Sequence, residues 1–91
     1  MLTVKEARKI GVKACMERIG YDFCMANREN ATTGYTEEKE YVHCYVGVSD
    51  KSPDTLQAGL LFTSTKFPFS ASCNVWLADG KIDFLECHLP A

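Results

Sequence analysis

The hydrophobic period of this chain changes once, from about 3.6 residues to two, and that single change limits the folds open to it. At 100° per residue, Val4, Ala7, Ile10, Gly11, Val12, Ala14, Cys15 and Ile19 fall on one broad apolar arc. Glu6, Lys9, Lys13 and Glu17 cluster opposite. Thr3-Val-Lys-Glu6 has the form of a capping box, and Gly20 supplies a residue suited to ending the helix. From Tyr41 the pattern alternates: Val42, Cys44, Val46 and Val48 face one way, and Tyr41, His43 and Tyr45 the other. One amphipathic helix followed by strands gives no βαβ alternation, which argues against a parallel doubly wound sheet.

Between these segments, residues 21–28 favour a short second helix over alternation, and residues 30–34 read as a turn or a strand edge. Glu37, Glu38 and Glu40 are expected to flank a hairpin. Further strands are predicted at Leu56 to Ser64, Ala71 to Ala78 and Lys81 to His88, the last two joined by Asp79-Gly80, the signature of a two-residue type I′ turn. That turn sets Ala78 opposite Lys81, pairing Leu77 with Ile82, Val75 with Phe84, Cys73 with Glu86 and Ala71 with His88 on one face. The other face then carries Trp76 against Asp83, Asn74 against Leu85 and Ser72 against Cys87. The expected fold class is α+β: an N-terminal amphipathic helix packed on a four-stranded, mostly antiparallel sheet, as one domain over residues 1–91. In outline this is similar to the cystatin-like or PepSY-like helix-on-sheet plan, although no family motif is matched residue by residue. A shared outline does not fix activity, so no function is carried over from it.

Composition narrows the function classes. Ninety-one residues, 46% of them apolar and 24% charged, suit a single small core and exclude collagen-like and disordered chains. The longest apolar run, Ala58 to Phe62, is far below the roughly 20 residues of a membrane span, so no membrane partner is expected. A formal charge of -2 repels phosphates on average, so nucleic acid is not an expected partner either. Five cysteines, an odd number, without an apolar export segment before the first charges point to free thiols and a cytoplasmic location.

The most informative pattern is aromatic. Solvent-facing strand positions normally alternate to polar residues, yet Tyr41, His43, Tyr45, Trp76, Leu85 and Cys87 gather on the face away from the helix. Three readings of this face stand: residues 21–37 fold over it, large aromatics merely suit strands, or it is an interface or ligand surface. The expected function is a small non-catalytic interaction domain that self-associates as a homodimer or higher oligomer through these residues, with a protein or small-molecule ligand as a further partner. The alternative is a metal- or thiol-dependent protein. Its candidate ligands are an inner set of Cys44, Cys73 and His88, with Glu86 at its margin, and an outer pair of His43 and Cys87. The sequence has no CxxC or HxxxH knuckle, Walker A loop, GxGxxG, GxSxG or HExxH, so no cofactor and no catalytic residue are expected. Lys5, Lys9 and Lys13 recur at helical spacing as a basic strip, suited to an acidic partner or simply to water.

Overall fold

A computed structural model describes residues 1–49 and 69–90. Helix α1 covers Val4–Ile19. It starts at the expected capping box: the Glu6 amide donates to the Thr3 hydroxyl and the Thr3 amide to the Glu6 carboxylate, both at 3.1 Å. Gly20 ends α1 at φ 128°, a backbone angle that favours glycine, and the short helix α2, Tyr21–Ala26, follows at once. A single 3₁₀ turn, Arg28–Asn30, leads into the sheet.

The sheet is an antiparallel meander of β1 (Ala31–Glu37), β2 (Tyr41–Val48), β3 (Phe69–Trp76) and β4 (Ile82–His88), in that spatial order. The segment expected to be a turn or strand edge is thus the edge strand β1. The strand predicted at Leu56 to Ser64 lies outside the described residues. α1 packs across the two central strands and reaches β1 and β4 only at its margins. Its buried stripe is Ala7, Gly11, Cys15 and Ile19, set against Val42, Cys44, Val46, Val48, Ala71, Cys73 and Val75. Small side chains let the helix sit close: a Cβ on Gly11 would fall against Cys44 and within 3.0 Å of Val75 Cγ2. One helix is narrower than four strands, and its arginines extend its cover sideways. Arg8 lies 4.7 Å above the Tyr35 ring on β1, and Arg18 lies 4.5 Å above the Phe84 ring on β4.

The last hairpin differs from the two-residue expectation. A type I′ turn needs positive φ at both central residues, and among the described residues only Gly20 and Gly80 have it, so Asp79 does not supply the first of the pair. The chain instead uses a four-residue loop, Leu77 to Gly80. In it the Gly80 amide donates to Trp76 O at 2.8 Å and the Trp76 amide to Lys81 O at 2.9 Å. Val75 therefore faces Ile82 and Cys73 faces Phe84, two residues away from the expected pairing. Leu77, freed from the strand, is a tie point: its amide donates to Glu40 O and its carbonyl accepts from the Leu2 amide.

Candidate interaction face

β2 and β3 are in register from Tyr41 opposite Trp76 to Val48 opposite Phe69, which fixes the composition of both faces. Cys44 and Cys73 are directly opposite on the helix side, while Tyr41, His43, Tyr45, Asn74 and Trp76 point away from it. The expected aromatic patch is therefore assembled from adjacent positions of two paired strands. Tyr41 and Trp76 pack with ring centroids 5.1 Å apart, and His43 lies 6.4 Å from Tyr45. Tyr45 lies across β1 onto Gly34, where a Cβ would fall within the ring, and still leaves 42% of its surface exposed.

Two nitrogens of this patch find partners inside the chain. Trp76 Nε1 donates to Asp83 Oδ2 at 2.7 Å, and His43 Nδ1 donates to Asn74 Oδ1 at 2.9 Å. Asn74 is a member of the face that the sequence reading did not single out. Parity alone places it outward, but pairing it with His43 requires the β2–β3 register, which the 20-residue connection between those strands hides.

Two of the expected members move. Between Cys73–Phe84 and Ala71–Cys87 the strands slip by one residue, so that Leu85 and Glu86 stand against Ser72 alone. The extra residue reverses the faces beyond it. Cys87 is not on the aromatic face; it lies opposite Ala71 and packs at the edge of the core. His88 turns outward opposite Ser70, where its Nε2 meets Glu86 Oε1 at 2.8 Å, and so it is separated by the sheet from Cys44 and Cys73. Leu85 stays at the bulge, 50% exposed. Neither ligand set drawn from the sequence is brought together: His43 and Cys87 lie on opposite faces, as do His88 and the inner cysteines. Among the described residues no three His, Cys, Asp or Glu side chains are grouped to hold a metal ion.

The inner face holds a cluster of thiols instead. Cys15 Sγ is 3.6 Å from Cys73 Sγ, Cys73 Sγ is 3.6 Å from Gly11 O, and Cys44 sits beneath the carbonyls of Ala7 and Arg8. The hydrogen bond that Cys15 donates to Cys73, together with burial, pushes the Cys15 pKa upward. Burial likewise pushes Cys44 up to about 11 and Cys24 above the ordinary thiol range. Cys15, Cys24 and Cys44 therefore stay protonated at neutral pH and are poor nucleophiles and poor metal ligands, while the hydrogen bond from Cys15 draws the Cys73 pKa downward.

Residues 21–37 do not fold over the aromatic face. Phe23 of α2 packs edge-on against Phe69 at 5.2 Å, and Cys24 bonds back to Met16 O, both on the helix side, while residues 31–37 are β1 itself. No described element lies across Tyr41, His43, Tyr45 and Trp76. No helix among the described residues is long and apolar enough to cross a membrane. Comparison with protein-family models, with characterised proteins and with solved structures gives no match to this chain. The cystatin-like or PepSY-like outline is not confirmed by these comparisons.

Proposed function

We propose that this chain is a non-catalytic interaction domain that self-associates through the outer sheet face formed by Tyr41, His43, Tyr45 and Trp76. The observation that carries the reading is the pairing of aromatic bulk with two satisfied ring donors, Trp76 Nε1 and His43 Nδ1. Covering an aromatic face gains hydrophobic free energy only if no donor is stranded beneath the cover. Here the Trp76 indole and the His43 imidazole already spend a donor on Asp83 and Asn74. A second copy can lie on the face without needing to satisfy them.

The size of the face sets the expected strength. Four strands about 4.8 Å apart, seven or eight residues long at about 3.3 Å per residue, give an outline of roughly 19 by 25 Å. Two such faces packed as a sandwich cover about 950 Å² in total, just under the low end for stable specific interfaces, about 1,200 Å². A reversible, concentration-dependent homodimer is the expected product, with the two-fold axis passing near Tyr45. Free thiols at all five described cysteines support a reducing, cytoplasmic setting.

Sedimentation equilibrium from about 1 μM to 1 mM tests the reading on wild type and Tyr45→Glu, because an unpaired carboxylate buried between sheets is costly. Tyr45 is a better probe than Trp76, whose replacement by Glu would set two carboxylates against each other at Asp83 and disturb the fold itself. The expected result is a dimer that Tyr45→Glu shifts to monomer with its circular dichroism unchanged. A wild-type monomer throughout that range refutes it. The competing metal- or thiol-dependent reading draws on the Cys15–Cys73 contact, and stoichiometric metal in tag-free protein would favour it.

A further inference from the structure

The two edges of the sheet are built differently. β4 carries the bulge at Leu85 and Glu86 and presents Asp83, Glu86 and His88, devices that discourage another strand from pairing. β1 carries none of them. It pairs with β2 without interruption from Ala31 to Glu37, contains no Lys or Pro, and has one charged residue, Glu37, at its end. Among the described residues no strand pairs with its other side. Strand β1 is therefore a competent template for one more strand.

Alongside β1 runs a groove of about 740 Å³, bounded by the flank of α1 and by Thr33. Its apolar lining is Val12, Met16 and Tyr21, and its basic lining includes Lys5, Lys9 and Lys13. Arg8 adds a fourth positive charge on the same flank, where it lies over Tyr35. Glu17 is the one carboxylate among the described lining residues, and it is 4.0 Å from Lys13. A strand added to β1 would send alternate side chains toward this flank.

We propose that β1 and the basic flank of α1 form a docking site for an extended acidic segment of a partner protein, which adds to the sheet as a fifth strand with its carboxylates toward Lys5, Lys9 and Lys13. Charge decides the occupant. A second copy pairing through its own β1 would set two lysine rows side by side, whereas an acidic strand neutralises the row. Backbone hydrogen bonds to the strand edge supply much of the affinity, and the lysines supply the choice of sequence. This site uses the free edge of β1 and the helix side of the sheet, whereas self-association uses the outer face, so each has its own test.

The probe is a capped eight-residue peptide of alternating Glu and Val, labelled with a fluorophore and titrated by anisotropy. Controls are its Lys-Val counterpart and a version N-methylated at alternate backbone nitrogens on the edge-pairing side. Binding of the acidic peptide alone is expected, weakening as salt rises. Lys9→Glu with Lys13→Glu should lower affinity about tenfold or more, as should Thr33→Glu, each with unchanged circular dichroism. Equal binding of the N-methylated peptide would show that no strand is added, and equal binding of the Lys-Val peptide that the basic row does not select. Either result, or no binding of the acidic peptide at millimolar concentration, overturns the proposal.

Discussion

Gly11→Ala puts a number on how closely the helix sits on the sheet. Alanine in a helix interior is better than glycine by about 1 kcal/mol, so on propensity alone the substitution would stabilise the fold. Packing opposes this. The new Cβ meets Cys44 Sγ, lies 2.8 Å from Cys44 Cβ and 3.0 Å from Val75 Cγ2, and both neighbours are 0% exposed. Cys44 Sγ can turn, but its Cβ is fixed to a central strand. Restoring an ordinary 3.4 Å contact to that Cβ therefore requires α1 to rise by about 0.6 Å. A gap of 0.5–1 Å forfeits roughly a quarter to a half of each dispersion contact it opens, and Ala7, Cys15 and Ile19 share the same helix. Overpacking of this kind costs about 1–3 kcal/mol, which after the propensity gain leaves a net loss of about 0–2 kcal/mol and a fall in Tm of up to about 15 °C. Urea unfolding followed by circular dichroism measures it. Adding Cys44→Ala removes the Sγ and should recover at least about 0.5 kcal/mol of the loss as a coupling between the two sites. A Gly11→Ala protein more stable than wild type by the full propensity gain of about 1 kcal/mol would show that α1 does not approach the sheet this closely.

Two further predictions concern the cap and the thiols. Thr3→Ala should destabilise the fold by about 0.5–2 kcal/mol in a thermal melt, because it removes the acceptor of the Glu6 amide. The backbone hydrogen bond from Thr3 also lowers the Glu6 pKa, so its contribution is present above the ordinary glutamate range and lost as pH falls through the lowered value. Glu6→Gln should flatten that acid limb of the stability profile. The five thiols should react slowly with iodoacetamide until denaturant is added, Cys87 fastest, as read by mass spectrometry. Because burial holds Cys44 protonated up to about 11, the unfolded chain releases thiol protons first. Stability should therefore fall as pH rises from about 8.5 toward 11, and a flat profile there would mean that water reaches the thiols.

What could be read in the sequence, and what could not, follows from how each residue is buried. α1 was legible because Thr3 and Glu6 cap it locally and because Ala7, Gly11, Cys15 and Ile19 carry the helical period into the core. β2 was legible because Val42, Cys44, Val46 and Val48 are all under the helix. β1 was not, because it lies at the margin of the helix, where Thr32, Thr33, Tyr35 and Thr36 are all exposed and no alternation is imposed. The basic groove followed β1 into obscurity. Lys5, Lys9 and Lys13 are visible as a strip in the sequence, but only the neighbouring strand edge gives the strip a second wall.

The error in the last hairpin and the error in the cysteines have different consequences, and side-chain parity explains why. Reading two turn residues where the chain uses four moves the pairing by two positions, so Val75 meets Ile82 instead of Phe84. An even shift returns every side chain to its own face. Trp76 therefore remains outward, within reach of Asp83, although it was paired with the wrong neighbour. The bulge adds one residue, an odd shift, and everything beyond it changes sides: Cys87 enters beside Ala71 and His88 leaves. A metal reading that depends on His88 joining Cys44 fails at that residue, whereas an interface reading built on Tyr41, His43, Tyr45 and Trp76 depends only on strands before the bulge. The outer face therefore survives the misreading of the turn.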